Sequence, residues 1–272
     1  TIQNYTTVKV GPGVDQMEIT GNLFRDCSHA VSITDSRDIL FKHNHMDDCD
    51  KGLYVDVGCE RVEIIANRLT NLNNSQMLAE GTIGIYVSGS SNIDLINSYV
   101  QANGPGYMTG IRVNNSDTCS MLFNSVNMGT EDIEQKSKGL HLTSVRQFNG
   151  RNNIAHIKTN GLPVHLQTDF SELNIDYNNY YSPAGIIGRI DNQDYTNLNQ
   201  WGTTINGDAN SLAVDAFFKV DTIPLPYQRA LNGAGIPVPG VINDINGIIR
   251  NPQAPDMGCY EFLVDIGIVE LI

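Results

Sequence analysis

Between residues 15 and 182 the chain repeats one short pattern. It reads apolar-x-apolar-x-x-Asn, a variable stretch, then a small residue followed by apolar-x-apolar. The pairs ahead of the Asn-type position are Met17/Ile19, Ile39/Phe41, Val62/Ile64, Ile93/Leu95, Cys119/Met121, Ala155/Ile157 and Leu173/Ile175. The pairs after the small residue are Val31/Ile33, Leu53/Val55, Ile85/Val87, Ile111/Val113, Leu140/Leu142 and Val164/Leu166. A spacing of two puts both members of a pair on one face of an extended strand. The Asn-type column is Asn22, Asn44, Asn67, Ser98, Asn124, Asn160 and Asn178; the small-residue column is Ala30, Gly52, Gly84, Gly110, Gly139 and Pro163.

From each small residue to the next Asn-type position the steps are 14, 15, 14, 14, 21 and 15, whereas the return steps are 8, 8, 17, 12, 15 and 3. One half of the repeat is nearly fixed and the other tolerates insertions, as in a solenoid. A unit with two short strands cannot bury its apolar face alone. Stacked units can, because equivalent positions line up about 4.8 Å apart. Helical repeats would need a 3.6-residue period, and leucine-rich repeats a Leu-x-x-Leu-x-Leu frame; neither is present. The expectation is an all-β chain, a parallel β-helix. Asn tolerates left-handed backbone at the turn and can form a rung-to-rung ladder. The glycines are expected where a Cβ would crowd the next coil. Residues 68–83, 99–109 and 125–138 read as loops projecting from one side, a wall beside a site, and 146–153 as a further insertion.

The rungs "ITGNLF", "FKHNHM" and "IIANRL", with "KGLYV", "IGIYV", "TGIRV" and "KGLHL", resemble the right-handed parallel β-helix, or pectate-lyase-like, family. The resemblance implies residues 1–182 as coils and residues 183–262 as an irregular C-terminal cap over the open end. It also implies a bacterial secreted or cell-surface protein. The segment "RALNGAGIPVPGVINDINGIIRNPQAPDMGCYEF" resembles the closing segment of such proteins, with Asp244, Arg250, Asp256 and Glu261 expected as salt-bridged cap residues. Residues 1–14 read as part of an earlier rung. Residues 263–272 read as a strand or linker toward a following, covalently linked module.

A net charge of −13 argues against nucleic acid and anionic membranes as partners, and no apolar run approaches a membrane span. Among five cysteines, Cys27 and Cys49 are expected as stacked buried thiols, with Cys59, Cys119 and Cys259 in the core. Asp26 and Asp48 fall at one offset after their Asn residues, where two carboxylates could share a Ca²⁺ ion. No other cofactor is indicated.

Candidate chemistry lies on the outward positions after the small-residue column. One column reads Ser32, Tyr54, Tyr86, Arg112, His141, His165; the next reads Thr34, Asp56, Ser88, Asn114, Thr143, Gln167; Lys51, Thr109 and Lys138 precede the glycines. Aromatic rings stack on sugars, and Arg and Lys bind carboxylates. The substrate class this suggests is a polysaccharide, with uronate carboxylates suited to the cations. Tyr54, Asp56, Tyr86, Asn114 and His165 are the expected contact residues. A lyase needs a base and a cation for the enolate-like charge, roles that fit His141, Arg112 and Lys138. Glycoside hydrolysis needs a carboxylate pair, and these columns supply only Asp56. Two readings stay open: a glycan-binding and cleaving module, or a non-catalytic structural or adhesive one.

Overall fold

The computed structural model describes residues 6–72, 81–130, 136–167, 170–218 and 225–262. It is a parallel β-solenoid of about six turns. Each full coil carries three strands, one more than the two-strand pattern predicts. The first face is a 7-stranded parallel sheet of Asp15–Thr20, Arg37–Lys42, Glu60–Ile65, Ser91–Ile96, Asp117–Leu122, Gln147–Arg151 and Glu172–Asp176. The second face holds Arg68–Leu72, Tyr99–Gly104, Ser125–Thr130, Ile154–Ile157 and Asn179–Tyr181. The third holds Thr6–Val10, Thr82–Ser88, Met108–Asn114, Lys138–Thr143, Leu162–Gln167 and Gly188–Ile190. In the two early coils, Leu23–Ile33 and His45–Val55 run through the second and third faces without a break.

The predicted wall of loops is therefore corrected in part. Much of 68–83, 99–109 and 125–138 is second-face strand, with Leu69, Val100, Ala102, Val126 and Met128 turned into the core. Residues 73–80 and 131–135 of that wall lie outside the described residues. The insertion predicted at 146–153 is likewise first-face strand, Gln147–Arg151.

The Asn ladder exists, with Asn153 rather than Asn160 on the sixth rung. Asn124 N–H donates to Asn153 Oδ1 (3.0 Å), and Asn153 N–H donates to Asn178 Oδ1 (2.9 Å). From Gly139 to Asn153 is 14 residues, so the one irregular step of the repeat disappears. Ala155 and Ile157 then follow the ladder position instead of preceding it, and Phe148 and Gly150 fill the first-face slots. Each ladder amide also reaches backward: Asn124 Nδ2 donates to the Leu95 carbonyl at 2.9 Å and Asn153 Nδ2 to that of Met121 at 2.8 Å. The left-handed backbone falls one residue earlier than expected, on Gly21, His43, Ala66, Asn97, Phe123, Asn152 and Tyr177. Asn is present at the ladder for its amide, which satisfies buried backbone groups at the corner.

The small-residue column has the predicted cause. A Cβ on Gly84 would meet the Gly110 carbonyl oxygen at 2.6 Å, and one on Gly52 would meet that of Gly84 at 2.2 Å. Cys27 lies opposite Cys49 on adjacent coils, and all five cysteines are buried thiols outside any disulfide.

After the last coil the chain does two different things. The helix Leu198–Ile205 places fully buried Trp201 over the end of the core, edge-on to Tyr180 and Tyr195. Asp208 ends the Asn ladder, accepting from Trp201 Nε1 (2.7 Å), Tyr180 Oη (3.0 Å) and Asn178 Nδ2 (3.2 Å). The chain beyond Leu212 then leaves the end and returns along the flank. Ala216, Phe218, Leu231, Ile245, Met257, Cys259 and Tyr260 form a second core there with Ala66, Tyr99 and Ile154.

Candidate functional site

Strand pairing on the third face runs Ser32–Tyr54–Tyr86–Arg112–His141–His165–Arg189, so the predicted column occupies successive coils. The flanking column Ser88–Asn114–Thr143–Gln167 is in register beside it, as is Lys51–Ile83–Thr109–Lys138 on the other side. The cause is the Gly column: every third-face strand restarts at the same height, and the two-residue alternation sends the same positions outward.

The N-terminal half of this column is a half-buried aromatic-cationic surface. Tyr54 and Tyr86 are half-buried, with ring centroids 5.2 Å apart. Lys51 Nζ sits 5.5 Å from the Tyr54 centroid, and the Arg112 guanidinium 5.6 Å from that of Tyr86. These are cation–π distances. Arg112 Nε makes no hydrogen bond. Asp56 and Asn114 are half-buried in the neighbouring column, and Lys138 lies beside His141 with its ammonium donating to the Lys136 carbonyl at 3.1 Å.

The C-terminal half differs from the expectation that the whole column faces water. His141 and His165 are buried, at 4% and 6% exposure, and stack at 5.0 Å with planes 6° apart. His141 Nε2 lies 2.7 Å from Gln167 Oε1, and His165 Nε2 donates to the Asp191 carbonyl at 3.0 Å. Both acceptors fix the Nε2–H form of the ring and leave Nδ1 buried with no partner. Burial above all, then the Lys138 and Arg112 charges, push the His141 imidazole down to about 3, against the hydrogen bond to Gln167. His165 is bonded by the non-repeating chain at Asp191, which the repeat could not reveal, whereas His141 is covered by His165 and by Gln167 and Thr143 of the neighbouring column.

Asp26 and Asp48 are exposed corner residues, each with φ of +54° where its strand bends from the second face to the third. Asp serves that geometry because a short polar side chain tolerates left-handed backbone. Among the described residues no group of three or more His, Cys, Asp or Glu is arranged to hold a metal ion. The two aspartates thus lack a third side-chain ligand of that kind. No described helix is long and apolar enough to cross a membrane.

Fold and site together define a right-handed parallel β-helix that presents a polar ladder on one face. Residues 2–126 match the family model described as the right handed beta helix region, and the same coils continue past the matched residues to Asn178. No curated protein and no solved structure matches the chain.

Proposed function

We propose that the third face binds an acidic polysaccharide without cleaving it, as part of a secreted or cell-surface protein. The observation that carries this reading is the alignment of Tyr54, Tyr86 and Arg112 on adjacent coils, with Lys51 on the Tyr54 strand, so that two neighbouring tyrosine rings have a cation at each end. Sugar rings stack on Tyr, and Arg and Lys meet uronate carboxylates. Coil spacing of about 4.8 Å suits a polymer lying along the stack.

A lyase role is weaker on chemical grounds. A base must reach a proton on the substrate. The His141 ring is covered, its Nε2 already carries a hydrogen, and its affinity for a proton is far below that of a base working near neutrality. Arg112 and Lys138 fit better as carboxylate contacts than as catalysts. Calorimetric titration with polygalacturonate, alongside a search for absorbance from unsaturated product, tests the reading. Binding with no product, weakened about tenfold in Tyr86→Ala, is expected. Product formation that is lost in His141→Gln would overturn the non-catalytic reading; no binding to the wild type would overturn both.

A further inference from the structure

The flank of the coil, a different face from the aromatic-cationic column, carries a second cluster. Val214 returns over the second face: its N–H donates to Asn179 Oδ1 (3.0 Å) and its carbonyl accepts from Asn179 Nδ2 (2.9 Å). Asp215 follows. Its Oδ1 lies 2.9 Å from His156 Nε2 and accepts the Phe217 N–H at 2.8 Å. His156 is itself clamped, with Nδ1 3.1 Å from Asn127 Oδ1 and its ring stacked on Tyr181 at 5.1 Å and 11°. The Asp215 carboxylate is therefore held in place from beneath, while 28% of its side chain stays exposed.

Two aromatic residues close to Asp215 along the backbone reach water. Phe217 is 57% exposed and Tyr227 is 56% exposed. The segments that carry them are joined, because Tyr227 N–H donates to the Ala216 carbonyl at 3.0 Å and Gln228 Nε2 to that of Asp215 at 3.2 Å. The Phe217 backbone is left-handed, with φ of +48°. For a bulky residue that conformation costs on the order of 1–3 kcal/mol. Burial, which usually compensates an aromatic ring for such a cost, is missing here: Phe218 enters the flank core and Phe217 is held out. Half-buried Tyr181 adds a third ring next to Asp215, and half-buried Lys158 supplies a cation opposite the same carboxylate.

Exposed rings with a fixed acceptor and a nearby donor suit a saccharide: C–H faces lie on the rings, and hydroxyls bond the polar groups. A single part-exposed carboxylate beside apolar rings disfavours a uronate and favours a neutral sugar, since like charges repel. We propose that Phe217, Tyr227 and Tyr181, with Asp215, form a second carbohydrate contact specific for neutral sugar rings. It is independent of the aromatic-cationic face, so either site can fail without the other.

The test uses the full chain with Phe217→Trp, which puts a reporter at the surface; the native Trp201 is fully buried. Cellohexaose, xylohexaose and mannohexaose serve as probes, titrated by fluorescence and by calorimetry. At least one hexaose is expected to shift the emission of the introduced indole and to bind the wild type. A Phe217→Ala, Tyr227→Ala variant should bind that hexaose about tenfold more weakly, with its affinity for polygalacturonate unchanged. Both substituted side chains are more than half exposed, so folding should persist, and circular dichroism checks it. Absence of binding by all three hexaoses, or equal affinity in the double variant, would overturn the proposal.

Discussion

The coils and the returning C-terminal segment solve the same problem with opposite means. In the coils the corner between the first and second faces is closed on rung after rung by a repeated device. On the Asn rungs the ladder amide accepts the N–H of the rung before it and donates to a carbonyl further back, at 2.7–3.0 Å in Asn44, Asn124 and Asn153. The returning segment has few strands and fastens itself by buried charge. Arg250 is 4% exposed; its Nη2 donates to Asn97 Oδ1 (2.8 Å) and the Gly258 carbonyl (2.9 Å), and its guanidinium lies 3.9 Å from the Phe123 centroid. Its Nη1 pairs with Glu261 at 3.3 Å. Asp244 and Asp256, expected in ion pairs, chiefly accept backbone N–H groups instead: Asn246, Ile248 and Glu261 for Asp244, Gly233 and Phe262 for Asp256. The coil spreads its polar bonds over many equivalent rungs, whereas the flank concentrates them on one cation and its surroundings.

Removing that cation is the sharpest way to break the comparison. Arg250→Ala leaves the Glu261 carboxylate without its cation and Asn97 Oδ1 without its donor in a buried setting, a loss of about 3–5 kcal/mol. Urea unfolding should show it, along with early proteolysis within residues 213–262 while the coils persist. A smaller effect follows in the ladder. Asn124→Ala strips acceptor and donor from Ser98 N–H and the Leu95 carbonyl, two buried groups, for about 2–4 kcal/mol. Because neighbouring rungs hold the coil on both sides, that variant should unfold in one transition at lower urea, with no early loss of the flank.

Histidine burial gives the next prediction. The folded-state affinity of His141 for a proton is depressed, so below the unfolded value of roughly 6.5 the unfolded chain binds the extra proton. The stability linked to this neutral ring is present above that value and is lost as pH falls from about 6.5 toward 3. Asp256, raised to about 6 by burial, works the other way, stabilising the fold as pH falls from 6 toward 4. The difference in unfolding free energy between the wild type and His141→Gln isolates the imidazole. At pH 5 it should be about 2 kcal/mol less favourable to the wild type than at pH 7.5. A difference constant with pH would mean that the His141 ring is not held neutral.

Much of this molecule was legible as a sequence because its strongest constraint is periodic. The fixed distance from small residue to ladder Asn set the register of Tyr54, Tyr86, Arg112, His141 and His165, and pairing bears that register out. The same constant would have found Asn153; Phe148 and Gly150 hid it, since glycine in a core slot breaks the apolar-x-apolar rule. Gly150 is tolerated because the Phe148 ring fills its space, 2.7 Å from where a Cβ would stand. The second-face strands were hidden by their shortness beside long insertions. Burial of the two histidines and the flank fastening of Arg250 could not be read from any period. They depend on side-chain contacts within the columns, on Asp191 over His165, and on contacts such as Asn97 to Arg250, far apart in the chain.

The smallest expected change in stability accompanies the most telling change in function. Arg112 and Arg61 each present a guanidinium on an outer face, Arg112 in the aromatic column and Arg61 paired with Asp38 and Glu60 on the first face. Replacing either by Ala alters net charge equally. Affinity electrophoresis in gels containing polygalacturonate compares them directly. Retardation that falls about tenfold in Arg112→Ala and stays at the wild-type level in Arg61→Ala is the predicted result. Equal retardation of the two variants would contradict the assignment of the third face as the binding surface.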